Sequence, residues 1–145
     1  MAIPTIGQIK KAALVVGKKH DLKLAVLYGS LAKGKAKSDS DIDIAVLGKS
    51  VLNLSDIIDI ADELTAALKI NEIDVKSLHF ADPLFRHQVM ERSVLLYGGE
   101  LDFVSFKIYA FRDYVESKSL FVLKEKLVKK RLESLWLIKI SLLKK

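Results

Sequence analysis

The sequence holds no cysteine, which excludes a disulfide framework, thiolate zinc ligation and thiol catalysis. That is compatible with a reducing cytoplasm, where the chain is expected to work. No apolar run approaches the ~20 residues that span a bilayer. Met1-Ala2-Ile3-Pro4-Thr5 has neither the basic start nor the apolar core of a signal peptide, so a soluble protein without membrane contact is expected. Histidine is scarce. His20, His79 and His87 lie far apart and form no two-histidine helical pair, so surface or capping roles are favoured over a metal or catalytic one. Internal repeats and low-complexity segments are lacking too. The net charge of +6 is also less general than it looks: residues 124–145 carry eight Lys or Arg against Glu125 and Glu133, and the first 123 residues are neutral. The part that bears the chemistry therefore has no cationic excess with which to grip a nucleic-acid backbone, and direct nucleic-acid binding is not expected.

What is present fits one domain, since 145 residues with half of them apolar can bury a respectable core. Thr5 and Gln8 form a capping box ahead of a helical stripe, Ile6, Ile9, Ala13 and Val16, that is expected to end near Gly17. Leu24 to Tyr28 reads as a strand and Asp41 to Leu47 as a second. Asn53, with Asp56 three residues on, caps a helix carrying Leu54, Ile57, Ile58, Ala61, Leu64 and Leu68. A strand with Asp74 follows. Asp82-Pro83 then opens a helix through Arg92, and Val94 to Tyr97 is a short fourth strand stopped by Gly98-Gly99. Beyond Glu100 the pattern is helical, with Ser117-Lys118-Ser119 read as a break before a last helix. The expected fold is α/β: a mixed sheet of three to four strands backed by helices on one face, with acids on the open face. Residues 1–99 form its core and residues 100–145 a C-terminal helical segment of the same domain that docks a partner.

The chemistry concentrates between Gly29 and Asp43. Gly29 ends the first strand where the backbone must turn tightly, and Ser30 opens a short helical turn whose free N–H groups and hydroxyl suit a phosphate. Lys33, Lys35 and Lys37 lie in the same connection and can neutralise a polyphosphate. In the second strand, period two puts Asp41 and Asp43 on one face and Ile42, Ile44 and Val46 on the other. Two adjacent carboxylates repel. A divalent cation relieves that repulsion, and hard oxygen ligands favour Mg²⁺ or Mn²⁺ bridging to substrate phosphates. A bare Asp-x-Asp is most often a polar strand start. Here the strand, the Gly-Ser turn, the basic linker and the paired acids occur together in order.

Gly29-Ser30, ten residues, then Asp41-x-Asp43 resembles the signature of the DNA polymerase β-like nucleotidyltransferase superfamily, and Gly29 to Val46 is similar to its minimal nucleotidyltransferase branch. Leu31 departs from the arginine that commonly follows the Gly-Ser pair there. The resemblance implies the nucleotidyltransferase fold and a third carboxylate on a later strand, which Asp74 supplies. It implies that Asp41, Asp43 and Asp74 form a two-Mg²⁺ catalytic site, with Gly29, Ser30 and Lys33 on the nucleotide. It further implies an antitoxin that moves AMP from ATP to a tyrosine hydroxyl of a cognate helical HEPN ribonuclease toxin. Phe85-Arg86 and Asp113-Tyr114 match the helical end of such antitoxins more weakly. Two other readings stand beside this one: transfer to a small molecule such as an aminoglycoside, and an inactive antitoxin that neutralises by binding alone. Lys76 shares the expected face of Asp74, whereas Asp39 and Glu72 are read as solvated.

In the final third, Phe103, Phe106, Phe111, Tyr114 and Phe121 lie at helical spacing, so core packing is expected rather than base stacking. Phe121, Val128 and Leu132 are likewise expected to pack on the domain. Trp136 is different: Leu135-Trp136-Leu137-Ile138 is apolar on all helical faces within a basic segment, which points to a protein partner.

Overall fold

The computed structural model describes residues 3–35 and 41–144. Lys37 and Asp39, named above as phosphate neutraliser and solvated acid, lie outside the described residues, as do Met1 and Ala2. Helix α1 (Ile6–Lys19) starts on the expected box, with the Gln8 amide nitrogen donating to Thr5 Oγ1 at 3.2 Å and the Thr5 nitrogen to Gln8 Oε1 at 2.8 Å. It runs through Gly17 rather than ending there. Glycine is needed at that point because the ring of Tyr97 packs flat on the helix, and a Cβ would lie 2.6 Å from it.

Strand β1 (Leu22–Tyr28) begins two residues earlier than its apolar run. The four-residue turn α2 (Gly29–Ala32) follows, and strand β2 (Ile42–Gly48) begins one residue after Asp41. Helix α3 (Leu54–Leu68) has the reciprocal Asn53/Asp56 cap, at 2.8 and 2.9 Å. Strand β3 (Ile73–Ser77), helix α4 (Pro83–Glu91, capped by Asp82) and strand β4 (Val94–Tyr97) complete the α/β part. The sheet is mixed, in the order β3-β2-β1-β4. Strand β1 runs antiparallel to both β2 and β4, and β2 runs parallel to β3.

Both faces of this sheet are covered, not one. Ala25, Leu27, Ile42, Ile44, Val46, Ile73 and Val75 pack under α1 and α3. On the other face Leu24, Val26, Ala45 and Leu47 meet Val89 and Met90 of α4 and Ala110 of the last helix. The acids are therefore not spread over an open face. Asp43 and Asp74 share the α4 side of the sheet but stand at the strand starts, beyond the covered middle, where both remain partly exposed.

Helix α5 is a single element of 44 residues, Glu100–Leu143. The expected break at Ser117-Lys118-Ser119 does not occur. Nothing in that triplet stops a helix, and the Ser119 hydroxyl donates back to the Glu116 carbonyl at 3.3 Å. Phe103, Phe106 and Ala110 cover the sheet as the aromatic stripe implied. Phe111 and Phe121 do not: they are 56% and 41% exposed, as are Val128 and Leu132 at 50% and 60%. For Phe121, Val128 and Leu132 the reason is geometric, because the domain under α5 ends near Tyr114 while the helix continues; Phe111 lies at the rim, its ring 5.7 Å from that of His87.

Arg86 ties the near half of α5 down. Its Nε donates to the Leu78 carbonyl at 3.2 Å, and its Nη1 lies 3.1 Å from Asp113 Oδ2 and 3.4 Å from the Tyr109 hydroxyl. The histidines are held structurally: His20 Nε2 is 3.1 Å from Glu63, His79 Nε2 is 3.2 Å from the Gly48 carbonyl, and His87 stacks on Tyr114 with centroids 4.6 Å apart.

Candidate active site

The strand registers align three side chains at one end of the sheet. Tyr28 on β1 pairs with Asp43 on β2, and Asp43 pairs with Asp74 on β3. Pairing partners point to the same face of a sheet, so the phenol and the two carboxylates form a row. Asp41, exposed and just ahead of β2, adds a third carboxylate to the same field.

Gly29 is what lets this row close. Its φ of +78° lies in the left-handed region, and a Cβ at that position would collide with the Asp43 carboxylate. The strand can thus turn into α2 directly over Asp43 only because the side chain is absent. The turn is secured by Lys33 N–H on the Gly29 carbonyl at 3.2 Å and Lys35 N–H on the Ser30 carbonyl at 2.9 Å. Ser30 is partly exposed beside the row and Lys33 is exposed. Leu31 packs against the α1/α3 core cluster instead of facing the site.

Electrostatics mark the same place. Burial first, then the neighbouring Asp74 and Asp41 carboxylates, hold the Asp43 carboxyl above its ordinary value, and Lys76 partly offsets them. Tyr28 is pushed up to about 12, again by burial first and then by Asp43 and Asp74. Lys76 Nζ lies 3.8 Å from Asp74 Oδ1, an exposed pair. Among the described residues no three His, Asp or Glu side chains enclose an ion position by themselves. The row nevertheless fits a cation: its carboxylates repel, they are only partly desolvated, and Mg²⁺ is usually held by one or two carboxylates with phosphate oxygens completing its shell.

A cleft of about 470 Å³ adjoins the row on the β4 side, lined by Tyr28, Gly29, Lys33, Phe85, Gln88, Val89, Glu91 and Arg92. Of these only Gly29 and Lys33 were singled out from the sequence as site residues. By sequence pattern alone Tyr28 is a strand end and Arg92 a helix end. Their place at the site follows from β4 lying beside β1, which no local pattern announces.

Residues 10–100 match the family described as Polymerase beta, Nucleotidyltransferase. The chain belongs to that nucleotidyltransferase family. It is 32% identical over 89 residues to "Putative protein adenylyltransferase MJ0435" of Methanocaldococcus jannaschii, an alignment covering 61% of this chain and 95% of that protein. It is 31% identical over 93 residues to "Protein adenylyltransferase MntA" of Shewanella oneidensis, covering 64% of this chain and 66% of that protein. A crystal structure of a toxin-antitoxin with AMP-PNP shares the fold, with a TM-score of 0.69 at 24% identity over 85% of this chain and 98% of that one. Among the described residues no helix is long and apolar enough to cross a membrane.

Proposed function

We propose that this nucleotidyltransferase is an antitoxin that moves AMP from ATP to a tyrosine hydroxyl of a cognate HEPN toxin. The observation that carries the reading is the row Tyr28–Asp43–Asp74 closed over by Gly29, a carboxylate site with a cleft of about 470 Å³ beside it. Support for the acceptor comes from the relatives, two of which bear the name protein adenylyltransferase. A further solved structure of the same fold is described as a tri-AMPylated Shewanella oneidensis HEPN toxin in complex with MNT antitoxin, at a TM-score of 0.66 and 22% identity.

In this reading Asp41, Asp43 and Asp74 would hold Mg²⁺, which would supply charge neutralisation in the transfer step. Gly29 and Ser30 hold the phosphates through backbone N–H groups and the hydroxyl, with Lys33 adding positive charge. Asp74, whose side chain is 47% exposed, takes the acceptor proton. The acceptor oxygen forms a bond to the α-phosphorus while the bond to the β-phosphate oxygen breaks, and the electron pair leaves on pyrophosphate.

Residues 1–99 carry this chemistry, and the distal part of α5 docks the toxin. Residues 124–145, with their net charge of +6, surround an apolar surface centred on Trp136, which is 60% exposed. A large aromatic anchor within a charged rim is a common interface design, and the lysines favour a partner with an acidic rim.

The test incubates the protein with α-labelled ATP, Mg²⁺ and the co-expressed toxin. Label on a toxin tyrosine is expected, and a toxin neutralised without label would instead favour antitoxin action by binding alone. Leu31, partly buried against the core, gives that second reading its one specific support, since it leaves the Gly-Ser turn without the usual arginine.

A further inference from the structure

The inward packing of Leu31 removes a cation from the turn that faces the phosphates, yet the adjoining cleft contains one from elsewhere. Strand β4 runs antiparallel to β1, with Val94 opposite Leu27. Continuing that pairing by one and two residues brings Ser93 and Arg92 alongside Tyr28 and Gly29. Arg92, the C-terminal cap of α4, accordingly lines the same cleft as Gly29 and Lys33. Among the described residues it makes no ion pair, whereas Arg86, one turn and a half earlier, is committed to Asp113.

We propose that Arg92 is a nucleotide-binding residue: with Lys33, which lines the same cleft, it grips the β- and γ-phosphates of the nucleoside triphosphate and replaces the arginine that Leu31 displaces. The inference rests on the nucleotidyltransferase reading above. Along the sheet end the order is Asp74, Asp43, the Gly29-Ser30 turn, then Lys33 and Arg92. An α-phosphate at the carboxylates and β-phosphate at the turn would direct the remaining phosphate into the cleft between the two cations. Glu91 lines the same cleft, so its net charge is that of a single cation without a ligand. This weakens indiscriminate anion binding while leaving the guanidinium fork available for a phosphate. When the α–β phosphoanhydride bond breaks, the electron pair passes to the leaving pyrophosphate, and both cations face the charge that develops there.

The test is titration calorimetry on the full chain with three probes: ATP with Mg²⁺, inorganic tripolyphosphate, and AMP. Arg92→Gln is expected to weaken ATP and tripolyphosphate about tenfold, the loss of one charge-assisted contact at a partly solvated site, while leaving AMP binding and the melting temperature unchanged. Arg92→Lys should recover most of the loss, because it restores the charge without the planar fork. Unchanged ATP and tripolyphosphate affinity in Arg92→Gln would overturn the proposal alone, with the nucleotidyltransferase reading intact if the variant still transfers label. An equal loss for AMP would overturn it too, by moving Arg92 to the nucleoside. A native protein that binds neither ATP nor tripolyphosphate would overturn both readings.

Discussion

Ala110 and Trp136 sit on one helix, yet Ala110 is fully buried against the sheet and Trp136 is 60% exposed. Up to about Tyr114, α5 behaves as a layer of the α/β part. Phe103 and Phe106 close the second core, and Asp113 holds a guanidinium that also caps the Leu78 carbonyl. Beyond that point Leu120, Leu123, Leu127, Leu132, Leu135 and Leu142 all face solvent. Hydrophobic content alone therefore does not tell whether a helix belongs to a core. Residence in a core depends on whether another element lies opposite, and here none of the described elements extends that far. The catalytic and docking properties proposed above divide along the same line, which makes the division open to attack by mutation.

The largest effect is expected at the carboxylate row. Asp43→Asn should lower AMP transfer at least about a thousandfold, equivalent to ~4 kcal/mol of transition-state stabilisation, in a radiolabel assay with saturating toxin. Retained transfer would take Asp43 out of the mechanism. Asp74→Asn should reduce turnover far more than it weakens Mg·ATP binding in calorimetry, because its role is directed at the acceptor proton; equal losses would leave it only a share in metal retention.

Gly29→Ala comes next. The left-handed backbone costs a non-glycine residue about 1–2 kcal/mol, and the new methyl group must push the Asp43 carboxylate aside. A displacement of that kind is expected to lower transfer by about a hundredfold, alongside a measurable fall in melting temperature. Normal transfer in a destabilised variant would show that the close approach serves the fold alone.

The two halves of α5 are compared directly by Asp113→Ala and Trp136→Ala. Removing Asp113 leaves a largely buried guanidinium short of a partner and should cost about 1–3 kcal/mol in chemical unfolding. Trp136→Ala should stay within about 0.5 kcal/mol of the native protein, since the ring is 60% exposed and belongs to neither core cluster. Similar losses in both variants would mean that the distal half belongs to the core after all.

The smallest effect is in pH dependence. Folding raises the Asp43 carboxyl above its ordinary 3.8, so the fold favours the protonated form. Its contribution to stability is present below the unfolded value and lost as pH rises through the folded one. Without metal, the melting temperature of Asp43→Asn relative to the native protein should therefore climb as pH rises above 3.8. A pH-independent difference would contradict the crowding of Asp43 by Asp74 and Asp41.

Much of this was legible from the sequence because the signals were local. Both capping boxes form with the residues that spelled them, and the four strands fall within two residues of their apolar runs. Period two correctly put Asp43 and Asp74 opposite the isoleucines and valines of their strands that pack under α1 and α3. Their direct pairing, by contrast, required the parallel register of β2 and β3, and the approach of Arg92 required β4 beside β1. Neither is encoded in any short window. Ser117-Lys118-Ser119 offers no break because serine, a weak helix former, lacks the stopping power of glycine or proline. The expected burial of Phe121, Val128 and Leu132 assumed a neighbour that the topology does not supply.

The division itself is tested most directly by a kinetic comparison. Full-length protein and a variant lacking residues 120–145 are given α-labelled ATP and Mg²⁺ across a range of toxin concentrations. The account predicts that truncation raises the KM for toxin at least about tenfold, as loss of an anchoring surface would, while kcat at saturating toxin and the affinity for Mg·ATP stay unchanged. A fall in kcat with the KM for toxin preserved would contradict it, placing the distal helix in the transfer chemistry rather than in docking.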